Sequence, residues 1–146
     1  MKKLTYKTTI NAARNKVWDT MLQPETYKEW AGAAWPDSNY EGEWKAGTNI
    51  RFIGPDGSGT LASLLEVRKP EFISAKHIAV LLPGGVEDRE SKAAQDWLGI
   101  MENYTFKEKD GSTELIVDIE TSPSWTKMFD EGWPSALKKL KEICER

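Results

Sequence analysis

The chain has 146 residues and 16.5 kDa, with 39% hydrophobic and 29% charged side chains, so one soluble globular domain spanning 1–146 is the natural count. A net charge of −3 argues against a nucleic-acid or anionic-membrane partner, because both demand a basic surface. One cysteine and one histidine exclude an intramolecular disulfide framework and leave too few ligands for a typical zinc site, and no EF-hand spacing marks an oxygen-ligated metal, so no metal or cofactor is assigned.

The N-terminal MKKLTYKTTI has no apolar stretch of the kind a signal peptide needs. Leu4 to Ile10 alternates with Lys and Thr and reads as a first strand. Arg14 to Leu22 carries Val17, Trp18, Met21 and Leu22 at helical spacing. Gln23-Pro24 ends that helix and starts a second short one bearing Tyr27 and Trp30. The loop-rich segment that follows holds Trp35, Tyr40 and Trp44, with a short strand near Asn39–Glu43.

Thr48 to Ile53 and Thr60 to Arg68 read as strands joined by the turn GPDGSG. That glycine-rich turn is not a phosphate loop, because no Lys-Ser/Thr follows and Thr60-Leu61 opens a strand instead of a helix. After the break at Lys69-Pro70, Phe72 to Leu81 is another strand. It contains the longest apolar run, Ile78 to Leu82, far shorter than the roughly 20 residues that span a bilayer. No membrane association is expected, and the cytoplasm is the simplest location. Residues 83–96 form a polar excursion with one helical turn around Ser91–Asp96.

The last fifty residues are the most informative. WLGIMENYTFKEKDGSTELIVDIE alternates by twos on both sides of Asp110-Gly111, which supplies the positive-φ turn of a hairpin. SPSWTKMFDEGWPSALKKLKEIC then changes to helical spacing, with Trp125, Phe129, Trp133, Leu137, Leu140 and Cys144 on one stripe. Pro134 is expected to kink or split this helix. A long helix after a meander of strands buries its stripe in the concave face of a curved sheet, which predicts an α+β fold with room for a cavity between helix and sheet.

The functional signals are few. No nucleophile elbow and no Cys/His arrangement is present, so no catalytic residue is assigned, and Cys144 reads as a small buried thiol. Of seven tryptophans, Trp18, Trp125 and Trp133 fall on helix stripes and are expected in the core. Trp30, Trp35 and Trp44 lie near loops and suit an entrance, and Trp35 and Trp44 also suit an exposed docking patch. Glu102 shares strand parity with Ile100, Tyr104 and Phe106, which puts a carboxylate on an apolar face. His77 shares parity with Ile73, Ala75 and Ala79, but Phe72 and Ile78 leave that strand's orientation open. If both point inward they form an acid–base dyad or a polar anchor. The plainer arrangement, favoured at this stage, leaves Glu102 at an exposed strand end and His77 at the surface or as a hydrogen-bonded core residue.

TTINAARNKVWDTMLQPETYKEW, the GEWKAGTNIRF…DGSG hairpin, WLGIMENYTFKEKDGSTEL and the terminal GWPSALKKLKE together resemble the START-like (SRPBCC, helix-grip, birch-pollen-allergen-like) superfamily. Within it the chain is similar to the small bacterial branch related to the activator of heat-shock-protein-90 ATPase. Ala13 departs from the proline that relatives often carry before the first helix. The resemblance implies a curved antiparallel sheet wrapped around a long C-terminal helix, two short helices after the first strand, and a hydrophobic cavity for a small apolar or amphipathic ligand. It supplies no invariant catalytic set, since the fold hosts unrelated functions. The positions matched to such a cavity are Phe52, Tyr104, Phe129 and Trp133, with His77 and Glu102 as polar groups and Trp30 at the mouth. The alternatives are a co-chaperone-like interaction module of unknown protein partner and an enzyme using Glu102 and His77.

Overall fold

Alternation in β1 (Lys2–Ile10) turns Leu4 and Ile10 inward and leaves its lysines in solvent. The computed structural model describes residues 2–146. After β1 come α1 (Arg14–Leu22), α2 (Pro24–Gly32), β2 (Asn39–Glu41), β3 (Asn49–Ile53), β4 (Gly59–Arg68) and β5 (Phe72–Leu82). These are followed by β6 (Val86–Asp88), α3 (Lys92–Trp97), β7 (Met101–Lys109), β8 (Ser112–Thr121) and α4 (Thr126–Cys144). The sheet runs β1-β8-β7-β5-β4-β3-β2, with β6 beside the end of β5, and every pairing among the described residues is antiparallel. The sheet is curved around α4, giving the expected α+β helix-grip arrangement.

The β7–β8 hairpin forms where Asp110-Gly111 requires it. Lys109 pairs with Ser112, and both turn residues have positive φ, 51° and 84°. Helix α4 then buries Phe129, Trp133, Ala136, Leu137, Leu140, Ile143 and Cys144 along one side, in one cluster with Ile10, Leu64, Ile73, Phe106 and Leu115 of the sheet. Polar ties hold its two ends. Near the start, Tyr6 Oη donates to Asp130 Oδ1 at 2.6 Å; near the end, Lys141 Nζ donates to the Thr9 carbonyl at 2.8 Å. The helix is continuous through Pro134, so the expected split does not occur. Trp125 is also a correction: it lies half-buried in a 3-10 turn (Pro123–Trp125) before α4, not on the core stripe.

Strand β5 changes its inward face midway. Ala62 pairs with His77 while Leu61 pairs with Ala79, so β5 carries one residue more than β4 across this step. Upstream of the bulge Ile73, Ala75 and His77 face α4. Beyond it Val80 packs toward the main core, whereas Ala79 and Leu81 join Leu61 in a separate small cluster. The mixed parity of this segment therefore reflects a bulge. Residues 83–96 are also more ordered than the sequence suggests: β6 pairs with β5, and the Ser91 hydroxyl caps α3 by accepting from Ala94 N at 3.1 Å. Trp97, expected in a strand, ends that helix. No helix among the described residues is long and apolar enough to cross a membrane.

Candidate functional site

Short side chains hollow the centre of the sheet. Ala62 stands opposite His77, and Ala75 and Ile119 flank Glu102 from the neighbouring strands. Above this floor lies a cavity of about 690 Å³ between the sheet, α2 and α4, a size common for small-molecule sites. Its wall is a belt of ring contacts. Trp30 meets Tyr27 at a centroid distance of 5.0 Å, Tyr27 meets Tyr40 at 4.9 Å and Tyr40 meets Trp44 at 5.5 Å. Trp44 meets Phe52 at 5.9 Å, Phe52 meets His77 at 6.4 Å, His77 meets Trp97 at 5.3 Å and Trp97 meets Phe129 at 6.0 Å. One turn along α4, Trp133 stacks on Trp30 at 6.1 Å and closes the belt. Such pairs contribute about 0.5–1.5 kcal/mol each beyond their buried area.

The ends of α1 and α2 fasten this wall. The carbonyls at the α1 C-terminus lack helical partners, and the wall supplies them: Trp30 Nε1 donates to the Met21 carbonyl at 3.1 Å, and the Tyr40 hydroxyl donates to the Leu22 carbonyl. Trp30 is consequently buried in the wall. Trp35 and Trp44 are half-buried against the core, so they form no exposed aromatic patch.

Two titratable side chains lie inside. His77 is 3% exposed and Glu102 8% exposed, and His77 Nε2 stands 3.5 Å from Glu102 Oε1, a long and therefore weak contact. The inward arrangement holds, and the plainer placement at an exposed strand end does not. His77 Nδ1, Trp44 Nε1 and Trp133 Nε1 are buried without a protein partner. The Tyr40 hydroxyl lies near Trp44 Nε1 but not in hydrogen-bonding geometry. No group of three or more His, Cys, Asp and Glu among the described residues is arranged to hold a metal.

Burial raises the tyrosines around this site. Tyr27 is pushed well above the ordinary value of 10.0, first by burial and then by the charges of Glu102 and Tyr40. Tyr6 is raised by burial and by its bond to Asp130, and Tyr40 chiefly by burial. Folding thus favours the protonated phenols. Their contribution is complete below the unfolded tyrosine pKa of about 10 and is lost as pH climbs through the raised folded values. The denaturation midpoint is expected to fall between about pH 9.5 and pH 12. A flat midpoint over that range would contradict the buried phenol network.

All seven positions matched from the sequence border the cavity: Trp30, Phe52, His77, Glu102, Tyr104, Phe129 and Trp133. Sequence reasoning missed Tyr27, Met21 and Trp97, which also border it. For Trp97 a signal was present. Gly99 adopts φ 84° two residues later, and Leu98 N closes the helix on the Ala94 carbonyl, the usual stop for a helix.

A curved sheet gripping one long helix, with an aromatic cavity between them, defines the class as a helix-grip protein. A family model described as Activator of Hsp90 ATPase homolog 1-like protein matches residues 11–145, and the chain belongs to that family. Among solved structures it is similar to protein MLL2253 from Mesorhizobium loti, with TM-score 0.75, 16% identity, and coverage of 97% of this chain and 96% of that one. It is similar to the Aha1 dimer from Colwellia psychrerythraea, with TM-score 0.75, 14% identity, and coverage of 99% and 97%. It is also similar to DynU16, a protein of the dynemicin biosynthetic locus, with TM-score 0.72, 15% identity, and coverage of 98% of this chain but 47% of that one. At these identities the likeness is one of fold. No protein of curated function matches the sequence.

Proposed function

We propose that this protein binds a small apolar or amphipathic molecule between its sheet and α4. The observation that carries this reading is the cavity of about 690 Å³, walled by aromatic rings and edged by three buried, unpartnered polar atoms. Aromatic faces supply apolar area at small entropic cost, and a few polar groups fix a ligand's orientation. Buried polar atoms are otherwise almost always paired, so His77 Nδ1, Trp44 Nε1 and Trp133 Nε1 suit a ligand's own hydrogen-bonding groups.

The test is native mass spectrometry of protein purified without denaturant, followed by organic extraction. A discrete added mass, released by the solvent, supports the reading. A bare protein that also fails to take up added hydrophobic probes contradicts it.

The contact between His77 and Glu102 favours a second reading, in which the pair moves a proton on the bound molecule. Recovery of a bound molecule chemically unchanged after incubation at neutral pH would contradict that reading and leave binding intact. Docking of a protein partner through Trp35 and Trp44 ranks below both, because the two rings pack inward.

A further inference from the structure

The cavity carries a charge bias. Among the described residues bordering it, Glu102 is the one acidic side chain, and there is no lysine or arginine. Glu102 stands on a central strand between Ala75 and Ile119, both almost fully buried and apolar. Its one side-chain partner is His77, at 3.5 Å. A carboxylate so weakly compensated in an apolar setting strongly favours a positive group beside it. The surrounding rings act in the same sense, since aromatic faces carry the negative part of the ring quadrupole and attract cations. Burial first and the charge of Glu102 second raise the Tyr27 phenol, which places the α2 wall within the field of that carboxylate. A ligand carboxylate or phosphate would meet the same field with no lysine or arginine in the lining to offset it.

Resting on the reading that the cavity binds a small molecule, we propose that its ligand is a lipophilic amine. The ammonium lies against Glu102, in the cavity that Tyr27 and Tyr104 also border, and displaces the long contact to His77. The apolar body extends along Trp97 and Phe129. Oxygen acceptors on that body receive the indole N–H groups of Trp44 and Trp133, which have no acceptor within the protein. Fatty acids and other anionic amphiphiles are disfavoured by the same arrangement.

The experiment is isothermal titration calorimetry with naphthylbutylamine, naphthylbutanol and naphthylbutanoate, three head groups on one carbon skeleton. The amine is expected to bind roughly tenfold or more tighter than the alcohol, a ratio within the range of a desolvated cation–π and carboxylate site. The carboxylate is expected to bind more weakly than the alcohol. In Glu102→Gln the amine should lose that advantage and fall to within roughly threefold of the alcohol. Retained alcohol binding in the variant serves as the control for folding. The comparison in the unaltered protein stands even if the variant does not fold. Alcohol or carboxylate binding as tight as amine binding would overturn the proposal while leaving cavity binding in place. Failure of all three compounds to bind would overturn the cavity reading itself, and this proposal with it.

Discussion

Trp133→Ala is expected to lower the stability of the fold by roughly 3–5 kcal/mol, the usual range for truncating a large buried aromatic. The side chain is 3% exposed and touches four other rings: Tyr6, Trp30, Trp35 and Tyr104, at 6.4, 6.1, 5.5 and 6.1 Å. Its N–H has no protein partner, so no hydrogen bond is lost, and the cost is apolar contact and the enlarged hole. Because the position already borders the cavity, that hole opens into existing space and cannot close by collapse of a tight core. Urea denaturation of the variant measures the loss. A decrease below about 1 kcal/mol would mean that the ring is not part of the packed wall. Trp133→Phe should recover a large part of the stability, because the ring contacts matter more than the indole nitrogen.

Gly132→Ala sets local propensity against packing. In a helix interior alanine is favoured over glycine by about 1 kcal/mol. Here the added Cβ falls 2.6 Å from Cζ2 and 2.8 Å from Cε2 of Trp35, closer than carbon atoms pack. The indole must move or the helix must back away, and such overpacking costs about 1–3 kcal/mol. The variant is therefore expected to be less stable than the parent, against its helix propensity. In a Trp35→Ala background the obstacle is gone, and the same substitution should stabilise by up to about 1 kcal/mol. A double-mutant cycle read by denaturant midpoints gives the coupling. Equal effects in both backgrounds would show that Trp35 does not press on α4. The contact matters for function because Trp35 also borders the cavity, so displacing it should speed the exchange of a bound probe.

Much of the frame follows from local pattern. The period-two runs around Asp110-Gly111 fix both the β7–β8 hairpin and its register, since the two turn residues tolerate positive φ. The stripe through Phe129, Trp133, Leu137, Leu140 and Cys144 fixes which side of α4 is buried. Glu102 was put on the apolar face by the same parity, because β7 alternates without interruption, although an exposed strand end was favoured for it over a buried position. His77 was not, because its neighbour strand determines the bulge that follows it, and a single strand's sequence does not contain that information. Trp125 was misplaced because helical spacing continues backward past the true start of α4, where Pro123 begins a 3-10 turn. The role of Tyr27 and Trp97 in the wall depends on packing between distant segments, with His77 and Phe129 bringing Trp97 into the belt. Periodicity within one element does not encode such contacts.

The most direct test of binding inside the fold is proton–nitrogen correlation NMR of the seven tryptophan indole groups during titration with naphthylbutanol. Trp133 and Trp44 border the cavity with unpartnered N–H groups. Trp18 instead packs on Phe106 at 5.2 Å, outside the lining. The expected result is a saturable displacement of the Trp133 and Trp44 signals with Trp18 unmoved. Absence of any displacement, or movement of Trp18 together with the others, would contradict a ligand site between the sheet and the long helix.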